Sequence, residues 1–427
     1  MGPTRRFLFL QGPHGPFFDR LGALLRSAGC ETWRVGFNAG DDAFWLHRAS
    51  YIPFRDPPEA WPGTCEALVE AHAITDLVVY GDVRPLHAGA IAIAKRRGLR
   101  VHVFEEGYLR PWWVSYERGG SNAHSRLMET SLPQMRAALA DLDPDLPDAP
   151  AHWGDMRHHV FYGMLYHFMV IARGHAYPGY RPHRDIPVLR EFRLHLRRLL
   201  TMPLVGAQRR LATRAITRGA FPYHLCLLQL DHDASFRAHS RYGSTAEVLA
   251  EVIEAFARGA PPHHHLVLKA HPLEDGRAPV RATIRRLTRE LGLAGRVHYL
   301  HGGKLARLMD EARSAVTVNS TAAQQALWRG LPVKALGRSV YGKAELVSGQ
   351  PLAAFFADPA RPDGRAYRTF RHYLLETSQV AGGFYSSRGR RQLLRQVGDM
   401  MLSDLDPYDS LASGRPATRR TLKLVSG

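Results

Sequence analysis

Short apolar runs alternate along this chain with amphipathic helical patterns, and that alternation limits the folds open to it. Strands and helices in this order favour parallel α/β units. The runs predicted as strands in the first part of the chain are Arg6–Gln11, Thr32–Phe37, Asp76–Tyr80 and Arg100–Phe104. A second series starts near residue 221 and comprises Leu225–Gln229, Leu266–Ala270, Val297–Leu300, Ala315–Asn319 and Pro332–Leu336. We therefore expect an α/β protein with two Rossmann-like halves.

Helix signals support both series. Arg84–Arg97 is predicted as a helix that ends in cations, with Gly98 as its C-cap, because cations suit the negative end of the helix dipole. In the second series, Ser244 and Glu247 form a capping box at the start of a helix that Gly259 ends.

Residues 126–220 do not alternate, and they divide the chain. We expect an N-terminal Rossmann-like domain over 1–125, a helical basic insertion over 126–220, a C-terminal Rossmann-like domain over 221–360, and C-terminal helices with a basic tail over 361–427. The insertion contains a basic helical stretch, Asp185–Gly219, which fits either contact with an anionic membrane or a solvated helical face. Its arginines are Arg190, Arg193, Arg197, Arg198, Arg209, Arg210, Arg214 and Arg218.

The charge balance points to anionic partners. The chain has 57 Lys and Arg against 39 Asp and Glu, a formal charge of +18. Such a field attracts nucleic acid, acidic lipid or phosphorylated substrates. The sequence shows no recognised nucleic-acid module, Walker A loop or GxGxxG fingerprint, which disfavours nucleic-acid binding, ATPase and dehydrogenase functions.

Cysteine content and hydropathy indicate the cellular compartment in which the chain is expected. Cys30, Cys65 and Cys226 make neither a disulfide framework nor a zinc site, as expected for reduced thiols in the cytoplasm. No stretch approaches the roughly 20 apolar residues of a membrane span, and the first apolar run breaks at Gly12-Pro13, too early for a signal peptide. We expect a protein that is soluble or lies on a membrane.

Ligands of open α/β sheets bind beyond the carboxyl ends of the strands, so the polar residues there are candidates. In the first half these are Glu105 and Glu106, where mutual repulsion would raise one pKa and produce a general acid/base pair. A structural turn with one carboxylate paired to Arg110 is the alternative.

Three strand ends of the second half offer further candidates. Asp231 and Asp233 could act as a nucleophile, metal ligands or helix caps. His271, extended by Pro272, could act in catalysis by protonating a leaving group, bind phosphate, or remain an ordinary loop histidine. Asn319-Ser320-Thr321 precedes a helix predicted over Ala322–Arg329, where it could bind a phosphate or simply cap the helix.

The ordered set of these segments resembles the bacterial capsule polysaccharide biosynthesis/export family, whose members are β-Kdo glycosyltransferases of GT-B-like fold. The resemblance runs over roughly residues 6–345 and is closest to the single-module members that start a poly-Kdo linker on phosphatidylglycerol. The shared segments are Phe7–Pro13, Phe37–Asp41 with Phe44-Trp45, Tyr80–Pro85, Phe104–Pro111, Leu228–Asp233, Lys269–Pro272, and Asn319–Thr321 with Ala326-Leu327, Gly330, Pro332-Val333 and Gly337.

The resemblance implies two Rossmann-like domains that face a cleft, an acceptor side in 1–125 and a CMP-sugar side in 221–360. It implies CMP-Kdo as the donor and retention of the β configuration by double displacement, with Asp233 as the nucleophile and the acid/base carboxylate in Glu105-Glu106. The donor would be bound by residues of the matching motifs, with His271, Ser320 and Thr321 on its phosphate; the other donor-binding candidates are Lys269, Pro272 and Asn319. One departure concerns the nucleophile, since Ala234-Ser235 replaces a polar pair common in the family and Asp231 adds a second acid.

Physical reasoning adds to these expectations. Kdo carries a carboxylate, for which Arg84 and Arg110 are the candidate partners, although either could pair with Asp82 or Glu105 instead. No metal or cofactor is expected, because an imidazole and hydroxyls can stabilise the departing CMP phosphate.

The expected setting is the cytoplasmic face of the inner membrane. Arg190–Arg218 and the tail residues Arg419, Arg420 and Lys423 would attract anionic lipid there, and other capsule assembly proteins are possible partners. Two alternatives stay open: an inverting transferase of the CMP-sialic acid type, and a non-catalytic scaffold of the capsule export complex.

Overall fold

The computed structural model describes residues 4–142, 156–181, 188–231, 233–272, 274 and 278–414. It divides into two compact units. The first comprises residues 1–126, 136–199 and 372–427, and the second comprises 127–135 and 200–371. The tail residues Arg419, Arg420 and Lys423 lie outside the described residues.

The first unit is built on a seven-stranded sheet with the order β12-β6-β5-β4-β1-β2-β3. All neighbours are parallel except the pairs β5–β6 and β6–β12, which are antiparallel. The strands are β1 (Arg6–Phe9), β2 (Glu31–Gly36), β3 (Tyr51–Pro53), β4 (Asp76–Tyr80), β5 (Arg100–Glu106), β6 (Trp113–Arg118) and β12 (Gln379–Ala381). The helices of this unit are α1 (Phe17–Ser27), α2 (Ala39–Ala43), α3 (Trp61–Ala71), α4 (Pro85–Arg96), α6 (Met156–Ala172), α15 (Ser387–Leu402) and α16 (Pro407–Ala412).

Each face of this sheet is covered by helices, because its strands are apolar on both sides. In β1, Phe7 and Phe9 belong to a core cluster with α1 and α15. Leu8 and Leu10 belong to a different cluster, formed with α3 and α4. The alternation of adjacent residues between two cores is the two-residue period of a strand buried on both faces.

The second unit contains a five-stranded, wholly parallel sheet with the order β11-β10-β7-β8-β9. Its strands are β7 (Tyr223–Leu227), β8 (His265–Lys269), β9 (Val297–Leu300), β10 (Ser314–Thr317) and β11 (Val333–Ala335). Its helices are α8 (Ala234–Ala238), α9 (Thr245–Gly259), α10 (Val280–Glu290), α11 (Leu305–Asp310), α12 (Ala323–Trp328) and α13 (Leu352–Ala357). Three helices pass from one unit to the other along the chain: α5 (Leu132–Ala138), α7 (Val188–Thr217) and α14 (Gly364–Thr377).

The α9 helix shows how local sequence determines an element here. The Ser244 side chain accepts a hydrogen bond from the Glu247 backbone amide, so the predicted capping box forms. The buried stripe of α9, which includes Val252 and Phe256, packs on α13. A side chain on Gly259 would meet the Ala353 carbonyl oxygen, so the helix ends where α13 needs a residue without a side chain.

The α/β class with parallel sheets, predicted from the sequence, is confirmed, and several boundaries need correction. Strand β5 continues through Glu106, so Glu105 and Glu106 are the last two residues of the strand and do not follow it. Strand β7 starts at Tyr223 and ends at Leu227, two residues before the expected range at each end. Strands β3, β6 and β12 are not predicted from the sequence, because they are short or carry buried polar residues such as Ser115 and Glu117.

The C-terminal segment belongs to the first unit from residue 372 onward, although we expect a separate segment over 361–427. Its strand β12 pairs with β6, and Leu393 and Val397 of α15 enter the core of the first sheet. The expected insertion over 126–220 is likewise divided between the two units.

All three cysteines are thiols without a disulfide. Among the described residues, no helix is both long enough and apolar enough to cross a bilayer.

Candidate active site

The candidate residues fall into two sets, one at the carboxyl edge of each sheet. Arg84, Glu105, Glu106 and Arg110 lie in the first unit. The second unit contains the remaining candidates: Asp233, Lys269, His271, Pro272, Asn319, Ser320 and Thr321.

In the first unit, the ends of β4 and β5 are joined by a hydrogen bond from the Gly81 amide to the Phe104 carbonyl, at 2.8 Å. Asp82 follows directly and is buried. Its Oδ2 accepts hydrogen bonds from the Ser121 amide at 2.9 Å and from His124 Nδ1 at 3.0 Å. A buried carboxylate, Asp82, therefore lies close enough to Glu105 for its charge to affect that residue.

Glu105 and Glu106 point to opposite faces of the sheet, because successive side chains of a strand alternate. Glu106 Oε1 accepts hydrogen bonds from the hydroxyls of Tyr80 and Tyr385, each at 3.3 Å. Burial raises the pKa of both tyrosines well above the ordinary value, so both hydroxyls keep their protons. Glu106 is thus held by two donors on one face of the sheet.

Glu105 lies in a different environment. Burial raises the pKa of Glu105 to about 7; the charges of Asp82 and Glu106 add to the rise, while Arg84 and Arg110 oppose it. The expected cause, repulsion between the adjacent glutamates, is therefore corrected: loss of water is the larger effect, and Asp82 contributes more than Glu106. A carboxyl group with this pKa can both release and accept a proton near neutral pH.

The turn after β5 requires glycine. The Gly107 amide donates to the Trp113 carbonyl at 3.1 Å, and a Cβ on Gly107 would lie only 2.3 Å from that same oxygen. The following loop contains Arg110, whose Nε donates to the Gly107 carbonyl at 3.1 Å, and a cis bond between Arg110 and Pro111.

The charges of both candidate arginines lower the pKa of Glu105 and so oppose the effect of its burial. The Arg84 guanidinium lies 5.4 Å from the centre of the Tyr80 ring. Arg84 precedes α4, which begins at Pro85, so proline occupies the first helical position where a missing amide proton costs nothing.

In the second unit, a buried amide pair joins the ends of β7 and β10. Gln229 Nε2 donates to Asn319 Oδ1 at 2.8 Å, and the Asn319 amide donates to Gln229 Oε1 at 2.9 Å. These reciprocal bonds fix Asn319 immediately before Ser320. Asn319 is therefore a positioning residue for the hydroxyl segment in addition to being a candidate for donor binding.

The two aspartates after β7 have different environments. Asp231 Oδ1 accepts hydrogen bonds from the backbone amide of Thr245, at 2.7 Å, and from its hydroxyl. Both bonds join Asp231 to Thr245, the first residue of α9. Asp233 is half-buried and precedes α8, with its carbonyl accepting from the Arg237 amide at 3.0 Å.

The remaining candidates lie at the ends of β8 and β10. Lys269 is buried, His271 is half-buried, and Pro272 is exposed. Lys269 Nζ donates to the Ala270 carbonyl at 3.3 Å.

Ser320 and Thr321 are half-buried in the turn before α12. Ser320 Oγ accepts from the Ala322 amide at 3.2 Å, and its carbonyl accepts from the Tyr341 hydroxyl at 2.8 Å. The helix α12 is shorter than expected, since it starts at Ala323 and ends at Trp328. Because α12 has only six residues, the hydroxyls of Ser320 and Thr321 are better suited to bind a phosphate than its helix dipole is.

The sequence did not predict how four residues contact or influence these groups: Tyr80, Asp82, Gln229 and Tyr385. Three of them lie inside the segments that carry the resemblance and could have been singled out there. Tyr385 could not, because only the return of the C-terminal segment to the first sheet brings it to Glu106.

Comparisons with known proteins agree on a family. A family model described as capsule polysaccharide biosynthesis protein matches residues 75–385. The capsule polysaccharide export protein KpsS of Escherichia coli is 34% identical over 391 residues, covering 89% of this chain and 97% of that protein. The capsule polysaccharide modification protein LipB of Neisseria meningitidis serogroup B is 31% identical over 390 residues, covering 90% of this chain and 92% of that protein.

Among solved structures, the β-Kdo 2,7 transferase KpsC of Thermosulfurimonas dismutans matches 93% of this chain and 100% of that chain, at 13% identity and a TM-score of 0.45. The family resemblance read from the sequence is confirmed by the family model and by both relatives. The carboxylates, hydroxyls and arginines described above lie almost wholly within the matched segment, and this chain belongs to the capsule polysaccharide biosynthesis protein family.

Proposed function

We propose that this chain is a retaining glycosyltransferase that moves β-Kdo from CMP-Kdo to a phosphatidylglycerol or lysophosphatidylglycerol acceptor, starting a capsular linker. The observation that carries the proposal is the pair of reciprocal bonds between Gln229 and Asn319, which fixes the hydroxyls of Ser320 and Thr321 at the carboxyl edge of the second sheet, where they are suited to the phosphate of a CMP-sugar. Asp233 is the proposed nucleophile by its place in the segment that carries the resemblance, while Asp231 accepts two hydrogen bonds from Thr245 at the start of α9.

In the first step, a carboxylate oxygen of Asp233 attacks the anomeric carbon of Kdo, and the bond from that carbon to the CMP phosphate oxygen breaks. A covalent glycosyl–enzyme adduct and free CMP result. The charge that develops on the departing phosphate is met by Lys269, His271 and the hydroxyls of Ser320 and Thr321.

In the second step, an acceptor hydroxyl attacks the same carbon and the bond to Asp233 breaks. Glu105 takes the proton of that hydroxyl, for which its pKa near 7 is suited. Two inversions at one carbon retain the β configuration. Arg84 and Arg110 would hold the Kdo carboxylate.

We propose the cytoplasmic face of the inner membrane as the setting. The exposed arginines of α7, Arg190, Arg193, Arg197 and Arg210, support contact with acidic lipid, since each basic residue near such a surface contributes about 1 kcal/mol.

The test is incubation of the protein with CMP-Kdo and a fluorescent phosphatidylglycerol, followed by mass spectrometry of lipid and protein. We expect one Kdo added to the lipid and, in denatured protein, one Kdo on the peptide that contains Asp233. Asp233→Asn should abolish both, while Asp231→Asn, which can still cap α9, should retain both.

Other outcomes would contradict specific parts of the proposal. A sugar transferred without any adduct would favour an inverting mechanism. Normal capsule export with Asp233→Asn would favour a scaffold that performs no transfer.

A further inference from the structure

One helix of the first unit is apolar on both of its sides. In α6, Val160, Tyr166 and Val170 are buried. On the other side, Phe161 is 51% exposed and Phe168 is 52% exposed. A helix that is apolar all round usually has both sides covered, so the exposed side of α6 calls for a partner.

The buried side of α6 fixes the helix firmly on the first sheet. Tyr166 packs so closely on α2 that a Cβ on Gly40 would lie 2.6 Å from its ring. The Tyr166 hydroxyl accepts a hydrogen bond from Asn38 Nδ2 at 2.7 Å. The exposed phenylalanines are therefore presented by a rigid element.

The exposed side lies in a stretch without negative charge. Residues 156–181 contain no Asp or Glu but contain Arg157, Arg173 and Arg181. All three arginines are exposed, although Arg173 pairs with Asp42 at 3.2 Å and Arg181 pairs with Glu59 at 2.9 Å. Apolar side chains flanked by cations suit the boundary of an anionic bilayer, where rings enter the acyl region and cations meet the headgroups.

We propose that the face formed by Phe161, Phe168 and Ile171 of α6 docks on an anionic lipid bilayer. This face belongs to α6 and is separate from α7, whose arginines favour a membrane through their charge alone. The proposal deepens the proposed function and rests on it only in that the acceptor is a lipid.

Contacts at the start of α6 connect this face with the acid/base region. The His159 ring stacks on Tyr385 with ring centres 4.4 Å apart. The Tyr385 hydroxyl donates to Glu106. Docking through α6 would therefore hold the carboxylate edge of the first sheet close to the membrane surface.

The test measures sedimentation of the full chain with vesicles of phosphatidylcholine, with and without phosphatidylglycerol. We expect the wild type to bind the phosphatidylglycerol vesicles, and Phe161→Ser/Phe168→Ser to lower that partitioning about tenfold or more, because two apolar rings are lost. Phe161→Leu/Phe168→Leu should stay within about threefold of the wild type. Leu405→Ser is the matched control and should bind like the wild type, because this 37% exposed residue follows Asp404, which pairs with Arg100 at the start of β5, the opposite end of that strand from Glu106.

Unfolding temperatures of all variants show whether each is folded. The assay contains no nucleotide sugar, so its result does not depend on whether the chain transfers Kdo. Wild-type protein that ignores phosphatidylglycerol vesicles, or a folded serine pair that binds as the wild type does, would overturn the proposal. A wild-type dimer that the serine pair converts to monomers would overturn it as well, since a second copy would then cover the face.

Discussion

Two neighbouring glutamates acquire different properties from one strand. Because side chains alternate along the strand, Glu106 accepts hydrogen bonds from the hydroxyls of Tyr80 and Tyr385. Glu105 instead interacts with the charges of Asp82, Arg84 and Arg110. Adjacent acids in a sequence therefore do not have to share one proton. The face on which each lies determines its partners and its degree of desolvation.

The pH profile of transfer tests the assignment of Glu105. As a base, Glu105 is active when deprotonated, so the rate should rise with pH through about 7. Glu105→Gln should remove this limb and lower kcat by roughly 100- to 10,000-fold. Tyr385→Phe, which removes one donor to Glu106, should keep the limb, and a persistent limb in Glu105→Gln would assign the proton to another group.

At the scale of elements, the start of α9 depends on a residue outside the helix. Asp231 accepts hydrogen bonds from both the amide and the hydroxyl of Thr245, in addition to the cap that Ser244 supplies. By residue type alone Asp231 and Asp233 are equivalent, and the family resemblance implies Asp233 as the nucleophile. The structure adds that Asp231 bonds to Thr245, 14 residues further along the chain.

Replacing Asp231 by alanine should therefore destabilise the second unit. The loss of a helix cap costs about 0.5–2 kcal/mol, and Asp231→Asn should cost less because its amide oxygen can still accept. Urea unfolding measures the free energy, and hydrogen exchange should be faster at the start of α9 in Asp231→Ala alone. Equal exchange in the two variants would show that Asp231 does not cap the helix.

Sequence patterns predict those elements whose cause is local. The apolar run Asp76–Tyr80 and the capping box of α9 coincide with the structure, because burial on both faces and a side-chain cap are visible within a few residues. Strand β12 could not be predicted. Its three residues, Gln379–Ala381, form a strand only because β6 offers an unpaired edge far away in the sequence.

The candidate site, like the fold, is predictable from the sequence only in part. Its carboxylates, hydroxyls and arginines are recognisable at predicted strand ends, whereas the bonds that position them are long-range. Gln229 and Asn319 are 90 residues apart, and Tyr385 reaches Glu106 across 279 residues. Such pairs carry no local signal.

At the scale of the whole molecule, each unit contains a buried neutral histidine. In the first, burial lowers the pKa of His102 to about 4, although its hydrogen bond to Asp76 opposes the shift. In the second, burial lowers the pKa of His224 to about 3, and its ring bonds to Ser314 Oγ at 2.8 Å and to His264 Nδ1 at 3.0 Å.

Both units should therefore lose stability in acid. Below about pH 6.5 the unfolded chain binds protons at these rings while the folded chain does not, so stability falls as the pH is lowered toward 4. Each ring contributes a loss of about 2 kcal/mol at pH 5. Urea unfolding at pH 8 and pH 5 measures it, and His224→Gln should show a smaller difference; an undiminished difference would exclude His224 as a source.

The return of the C-terminal segment to the first sheet has a consequence for biosynthesis. Until residue 381 has left the ribosome, β6 has no outer neighbour, and the core of the first unit lacks Leu393 and Val397. The second unit, by contrast, is complete at residue 371. The half of the protein that is translated first is thus the last to receive all its residues, and the outer edge of β6 can be paired only after residue 381 has been made.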